Sequence, residues 1–167
     1  MSRVVDLLDK LSEALDWFIA RLVFIIIVGL VVVATAQVVF RVFFTALSWS
    51  EELSRYLLVW GTFFGATLAH KRGYHIALTF AIEAFGSEMK KIFTIIINIL
   101  SIVFFGFVIF YGTKMIEMQV FQISPALALP MKYVYLCIPF SLVIMIIHSL
   151  ANISKELTSL TKGEVVQ

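Results

Sequence analysis

The stretch Leu22–Phe40, LVFIIIVGLVVVATAQVVF, decides how this chain folds. It holds 19 residues without a charged side chain and lies between Arg21 and Arg41. At about 1.5 Å per residue, a helix of this length covers roughly 28 Å, close to the roughly 30 Å hydrocarbon core of a bilayer. The stretch therefore predicts a membrane-spanning helix, with lipid as the solvent of the protein's outer surface.

The composition agrees with a membrane protein. Of the 167 residues, 61% are hydrophobic and 14% are charged, and the mean hydropathy is +1.00. Soluble domains carry about 45 to 50% apolar residues, so this composition excludes a water-soluble globular protein. We expect one membrane domain over residues 1–167, and no nucleic-acid partner, because the formal net charge is only +2. Cys137 is the only cysteine, which excludes an intrachain disulfide.

Residues 1–20 predict an amphipathic helix, because apolar residues recur at spacings of three and four between charged ones. The apolar positions are Val4, Leu8, Leu11, Leu15 and Phe18. Such a helix fits two arrangements: it lies flat at the membrane surface, or it forms a solvated lead-in to the first span. We expect the interfacial arrangement.

Four apolar stretches predict four membrane crossings, at residues 21–44, 53–70, 92–113 and 133–151. The predicted fold class is therefore an all-α integral membrane protein with four transmembrane helices and an N-terminal amphipathic interfacial helix. Pro139 lies within the last crossing and cannot donate a hydrogen bond to the carbonyl of Tyr135, so we expect a kink there.

Small residues recur every fourth position in the second crossing, at Gly61, Gly65 and Ala69. This spacing predicts a seam along which another helix approaches closely. The pattern leaves open whether that helix belongs to this chain or to a partner.

Basic residues near the ends of the crossings predict the orientation. With both termini in the cytoplasm, nine of the 13 lysines and arginines lie on the cytoplasmic side, and four lie on the opposite side. The four are Arg41, Arg55, Lys114 and Lys132. We therefore expect a cytoplasmic N-terminus and a cytoplasmic C-terminus.

Residues 48–60, here named the elbow segment, hold the densest cluster of polar and aromatic side chains. The candidate residues are Trp49, Glu51, Glu52, Arg55, Tyr56 and Trp60. Glu51 and Arg55 lie four apart and so share one helix face. One interpretation is a membrane-surface turn anchored by tryptophan. The other is that Glu52 or Arg55 pairs with another subunit, because a charge at the membrane edge needs a partner.

The middles of the predicted crossings contain no Asp or Glu. Proton and cation carriers usually keep an ionisable group at that depth, so we expect no ion transport by this chain alone, and no cofactor or metal. An alternative function is a haem-bearing membrane anchor of a redox enzyme, with haem between His70 and His148. His75, the remaining histidine, fits an interfacial position better.

Several motifs resemble the small membrane subunit of tripartite ATP-independent periplasmic (TRAP) transporters, of the DctQ or SiaQ type. The matching residues are WSEELSRYLLVW at positions 49–60, Gly73 to Ile76, the stretch from Ser124 to Pro130, Tyr133 and Pro139. The similarity covers nearly the whole chain. The Trp-x-Glu-Glu-x-x-Arg-Tyr core is its most specific part.

The resemblance implies a bacterial inner-membrane protein that pairs with a large membrane subunit of the M type and works with a periplasmic binding protein. The large subunit would hold the substrate and sodium sites and move as an elevator, while the small subunit would act as a fixed scaffold. The implied function is sodium-coupled uptake of an organic anion, with sialic acid first and a C4-dicarboxylate second. The candidate residues of the elbow segment would form a subunit interface or a structural signature.

Overall fold

The computed structural model describes residues 2–45, 47–72 and 87–162 of the chain, and these residues form a helical bundle. No strand occurs in these three ranges, where Ile123 and Pro130 form one isolated antiparallel bridge. The helices are α1 (Ser2–Phe43), α2 (Ser48–Lys71), α3 (Ser87–Met118), α4 (Met131–Tyr135) and α5 (Cys137–Lys162). The all-α class predicted from the sequence is confirmed.

Helix α1 is continuous over 42 residues, about 63 Å at 1.5 Å per residue. It joins the predicted amphipathic segment to the first predicted span, so the expectation of a separate N-terminal helix is wrong. The physical reason is local. Residues 16–24, Asp-Trp-Phe-Ile-Ala-Arg-Leu-Val-Phe, contain no proline or glycine that would end a helix between the two segments.

Within the described residues, three helical stretches are long and apolar enough to cross a membrane. They are Val5–Phe43, Lys91–Met118 and Met131–Thr158. The predicted second crossing lies in α2, which has 24 residues but is not among the three. Charged and polar residues, Glu51, Glu52 and Arg55 among them, lower its hydropathy. A fourth crossing through α2 therefore stays a prediction.

The third stretch is interrupted at Leu136, between α4 and α5. Pro139 is the third residue of α5, in the first turn, where a backbone N–H has no partner inside its own helix. The Leu136 N–H still bonds to the Lys132 carbonyl at 3.1 Å, and the Phe140 N–H bonds to the Leu136 carbonyl at 3.3 Å. Backbone hydrogen bonds thus continue across the interruption.

Helix α5 is the centre of the bundle, because it packs against α1, α2 and α3, while α1 also packs along α2. The core is made of side chains from α1, α2 and α5: Ile19, Ile26, Phe64, Cys137 and Ile144. The Phe64 ring lies edge-on to the rings of Trp60 and Phe140, with centroids 5.7 Å and 6.0 Å away. Edge-to-face aromatic contacts of this kind hold α2 against α5.

Contacts between distant residues define the two ends of the bundle. Ser12 of α1 lies beside His148 of α5 and Lys71 of α2, so the start of α1 and the ends of α2 and α5 meet at what we call the terminal end. At the opposite, elbow end, Tyr56 near the start of α2 meets Met131 of α4. Consecutive helices α1 and α2 are therefore antiparallel, and α2 and α5 are parallel.

The outer faces of α1 and α3 are apolar and exposed. On α1 they include Phe24, Ile25, Val31, Val32 and Val38, and on α3 they include Leu100, Val103, Phe104, Phe107 and Phe110. Apolar surfaces of this size belong against lipid or another membrane protein.

The small-residue seam of α2 meets a helix of this chain at one of its three positions. A side chain at Gly61 would start 3.2 Å from the Cγ2 atom of Ile26 in α1, whereas one at Gly65 would meet no atom within 4 Å. Ala69 is exposed. The close approach to α1 therefore needs a glycine at Gly61 alone among the three.

We expect Gly61→Val to push α1 and α2 apart and to destabilise the bundle by about 1–3 kcal/mol, the usual cost of overpacking. Gly65→Val is the matched control, because it adds the same side chain on the same helix into open space. The measurement is the apparent melting temperature of each purified variant in detergent. Equal melting temperatures for the two variants would show that the contact at Gly61 has no energetic importance.

Candidate functional site

The elbow segment forms the first half of α2, which begins at Ser48. Because residues four apart share a helix face, its candidate residues divide into two sets. Glu52, Tyr56 and Trp60 face the loop of residues 119–130 and helix α4. Glu51 and Arg55 lie on the outer surface. In the sequence the candidate residues belong to one motif. In the structure the two sets have different surroundings.

The Glu52 carboxylate is the main link between α2 and the 119–130 loop. Its Oε2 atom accepts hydrogen bonds from the backbone N–H groups of Ala126, at 3.0 Å, and Leu127, at 2.8 Å. Its Oε1 atom accepts a hydrogen bond of 2.7 Å from the Tyr56 hydroxyl. Hydrogen bonds to an ionised acceptor are about twice as strong as neutral ones. Both carboxylate oxygens are therefore engaged within the chain.

Tyr56 and Trp60 extend the same contact toward α4. The Tyr56 hydroxyl oxygen lies 3.3 Å from the sulfur of Met131. One turn further along α2, the Trp60 indole N–H donates to the Val134 carbonyl at 3.1 Å. That carbonyl lies next to the interruption between α4 and α5 and also accepts the Cys137 S–H at 3.2 Å, so Trp60 ties α2 to this point of the chain.

The loop presents its amides to Glu52 because it is tightly turned. Ser124 donates its N–H to the Leu129 carbonyl at 2.9 Å and accepts the Ala128 N–H on its own carbonyl at 3.1 Å. Ala128 has φ 52°, a left-handed conformation that costs energy for a residue with a side chain. Pro125 and Pro130 prevent the loop from being a helix. The turn leaves the Ala126 and Leu127 N–H groups pointing at one carboxylate.

These contacts set the ionisation of Glu52. Partial burial opposes the charged form, but hydrogen bonds from the Tyr56 hydroxyl, the Leu127 and Ala126 amides and the Ser124 hydroxyl outweigh it. The pKa of Glu52 is therefore lowered from its ordinary value of 4.5. The carboxylate is ionised at neutral pH and holds the loop in that form.

The outer set has a different character. Arg55 and Glu51 form an ion pair of 3.2 Å, and both side chains are 70% exposed. Such surface pairs contribute about 0–1 kcal/mol to stability. Trp49 is also exposed. These three side chains lie at the surface of the elbow end, where another molecule can reach them.

A second polar cluster lies at the terminal end; the sequence pointed to its histidines, His70 and His148, but not to their serine and lysine partners. The Ser12 hydroxyl and His148 Nδ1 are 2.7 Å apart, and the Ser149 hydroxyl and His70 Nε2 are also 2.7 Å apart. Lys71 donates to the Ser12 carbonyl at 3.0 Å. These residues come from α1, α2 and α5 and are largely buried. The signal in the sequence was the spacing of Asp9, Ser12 and Asp16, which places three polar residues on one helix face.

The histidines of this cluster serve helix packing in the structure. His148 is fully buried, His70 is 8% exposed, and the His70 ring lies edge-on to Phe105 with centroids 5.4 Å apart. Each histidine has a serine partner from a neighbouring helix. Within the described ranges, no group of three or more His, Cys, Asp or Glu side chains could hold a metal ion. His75 and the Gly73 to Ile76 motif lie outside the described residues.

Fold and site together define a small helical membrane protein whose distinctive polar residues tie its own helices and loop together. The family model for the DctQ component of tripartite ATP-independent periplasmic transporters matches residues 30–159. Since the match covers most of the chain, this protein belongs to the DctQ family, a component of TRAP transporters. The resemblance stated from the sequence is confirmed, and a transporter component is not an enzyme.

Two curated relatives support the same assignment. A protein of Haemophilus influenzae named as a TRAP transporter small permease protein is 27% identical over 142 residues, which cover 84% of this chain and 82% of that protein. The isethionate TRAP transporter permease protein DctMQ of Oleidesulfovibrio alaskensis is 26% identical over 110 residues. The match covers 65% of this chain but 17% of the length of DctMQ.

We expect Glu52→Gln to loosen the 119–130 loop, because the neutral amide loses the charge-assisted bonds to two backbone N–H groups. The measurement is the hydrogen-exchange protection factor of the Ala126 and Leu127 amides, which should fall several-fold. Glu51→Gln is the control. It removes the same charge one residue away, from a side chain at the outer surface, and should leave both protection factors unchanged.

The same experiment has a pH dependence. Since the pKa of Glu52 is lower in the folded protein, its ionised form stabilises the docked loop above pH 4.5, and this contribution is lost as pH falls through the folded-state pKa. In the unsubstituted protein, protection of the Ala126 and Leu127 amides should therefore decrease when the pH is lowered below 4.5. In Glu52→Gln, protection of these amides should be low both above and below pH 4.5. Protection that is constant with pH in the unsubstituted protein would contradict the role of the carboxylate.

Proposed function

We propose that this chain is the fixed scaffold subunit of a TRAP transporter in a bacterial inner membrane. A large elevator-type subunit would carry an organic anion with sodium, and a periplasmic binding protein would deliver the anion. The observation that carries the proposal is the DctQ family match over residues 30–159. The name DctMQ, borne by one relative, supports an M-type partner for a Q-type chain.

The physical character of the chain supports a scaffold. The charge-free stretches of α1 and α3 present wide apolar surfaces, as a protein held between lipid and a large partner requires. Glu52 at the elbow end and the Ser12–His148 and His70–Ser149 pairs at the terminal end bond within the same chain. A transported ion would need oxygen ligands that are available to it.

The orientation that we propose places both termini in the cytoplasm. The terminal end, with Lys71 and Lys155, would then face the cytoplasm, and the elbow end would face the periplasm. The elbow end is therefore the part of this chain that a periplasmic binding protein could reach. We propose that three surface residues there contact a partner: Trp49, Glu51 and Arg55. The inward residues Glu52, Tyr56 and Trp60 hold the loop and α4 in place behind them.

The substrate class that we propose is an organic anion, with sialic acid first and a C4-dicarboxylate second. One relative is named as an isethionate transporter, and isethionate is an organic anion other than these two. Its name therefore supports the class of organic anions more than it supports sialic acid or a C4-dicarboxylate. Within the elevator arrangement, substrate selection would belong to the large subunit and the binding protein.

Reconstitution tests the proposed function. Proteoliposomes with this chain alone should show no sodium-dependent uptake of sialic acid or a dicarboxylate, and uptake should require the large subunit and the binding protein as well. The measurement is accumulation of radiolabelled substrate under an inward sodium gradient. Uptake by this chain alone, or full uptake when only this chain is left out, would overturn the proposal.

Arg55→Ala tests the partner contact. The exposed guanidinium contributes little to the stability of the chain, so its removal should lower co-purification of the large subunit several-fold without lowering the melting temperature. Lys114→Ala is the matched control, because it removes a positive charge at the same end of the bundle but from α3. Unchanged co-purification and unchanged uptake with Arg55→Ala would show that Arg55 lies outside the subunit interface.

A further inference from the structure

The start of α1 has three distinct faces. We name residues 5–20 the lead-in segment. Its inward face, which packs on α2 and α5, includes the buried residues Ser12 and Ile19. Leu8 and Leu15, two of the residues predicted to form its apolar membrane face, are also turned partly inward. The exposed apolar surface therefore keeps Leu11 and Phe18 of the predicted face but not Leu8 and Leu15.

One exposed face of the lead-in segment is an apolar stripe. Leu7, Leu11 and Phe18 are 67%, 48% and 55% exposed, and their spacings of four and seven place them on one side of the helix. The stripe continues at the same seven-residue spacing to Ile25 and Val32, which are 65% and 60% exposed. Ile25 and Val32 belong to the charge-free run of α1. The stripe thus joins the exposed apolar face of the charge-free run without a break.

The other exposed face is charged. Asp6, Lys10 and Glu13 are exposed and lie at spacings of four and three, so they also share one side. At 100° per residue, this charged flank lies roughly 110° around the helix from the apolar stripe. Beside it, the Arg21 guanidinium stacks 3.7 Å from the centroid of the Trp17 ring. Tryptophan and arginine are typical of the boundary between lipid tails and head groups.

The inward contacts of the lead-in segment indicate its depth. Ser12 bonds to His148, and the neighbouring Ser149 bonds to His70, whose ring lies against Phe105 of α3. Phe105 lies inside the charge-free run of α3, nine residues before Lys114 and fourteen after Lys91. These separations correspond to roughly 13 Å and 21 Å of helix. Leu11, next to Ser12, is therefore level with the interior of an apolar membrane-spanning stretch.

From these contacts we propose that the lead-in segment is embedded in the membrane, with its Leu7, Leu11 and Phe18 stripe in the lipid tails of the leaflet at the terminal end. Its charged flank faces the head groups and water. The partner is phospholipid, because the stripe is continuous with the exposed face of the charge-free run of α1, whose length matches a bilayer core, and lies at the depth of the α3 apolar run. A helix of about 63 Å must tilt to keep this stripe within a core of about 30 Å.

Spin labels on single cysteines test the proposal in the full chain. Cys137 is buried and is replaced by alanine, and labels are then placed by Leu11→Cys, Phe18→Cys, Glu13→Cys and Val32→Cys. The proteins are reconstituted in vesicles of phosphatidylethanolamine and phosphatidylglycerol. The measurement is the collision rate of each label with oxygen, which concentrates in lipid tails, and with a water-soluble nickel chelate.

We expect the labels at Leu11 and Phe18 to match the Val32 reference, with frequent oxygen collisions and few nickel collisions. The label at Glu13, only two residues from Leu11, should show frequent nickel collisions. Frequent nickel collisions at Leu11 and Phe18 would overturn the proposal, since the lead-in segment would then project into water. Infrequent collisions with both reagents would also overturn it, because protein rather than lipid would then cover the stripe. If one labelled variant fails to fold, Leu7→Cys reports on the same stripe.

Discussion

The structure depends on one constraint of the bilayer: a polar group that leaves water must find its partner inside the protein. Glu52 meets this constraint with the Tyr56 hydroxyl and two amides of the 119–130 loop. At the terminal end Ser12 bonds to His148 Nδ1, Ser149 bonds to His70 Nε2, and Lys71 donates to the Ser12 carbonyl, while His148 Nε2 is buried without a hydrogen-bond partner among the described residues. The two clusters tie the helices together at both ends of the bundle, and between them α1, α2 and α5 pack mainly through apolar side chains, with Thr67 and Ser141 also buried.

The central position of α5 follows from the same constraint. A helix that touches three others must offer each of them a suitable surface, and the fully buried residues of α5 include small or hydrogen-bonding ones, Cys137, Ser141 and Ser149. Helices α1 and α3 keep large aliphatic and aromatic residues on their outer faces. This division, with polar contacts inside and apolar surface outside, suits a helical membrane protein of the DctQ family.

Much of the architecture could be predicted from the sequence because helix formation and apolar length are local properties. The charge-free runs of α1 and α3 and the interrupted stretch near Pro139 were found from residue order alone, and the DctQ family was found from the elbow segment. The continuity of α1 was missed, because an amphipathic pattern followed by an apolar one suggests two helices unless the joining residues are examined. The sequence also grouped Glu51, Glu52 and Arg55 in one motif, whereas the helix turns Glu52 away from the other two.

The sequence by itself determined that this chain is a membrane protein, that it is helical and which family it belongs to. Each of these properties depends on residues that lie close together in the chain. Only the tertiary structure decided the partners of the polar side chains. Glu52 and Ala126 are 74 residues apart, and Ser12 and His148 are 136 apart. Helical spacing gives the side of a helix on which a residue lies. It carries no information about which distant segment packs against that side, because this depends on the packing of all the helices at once.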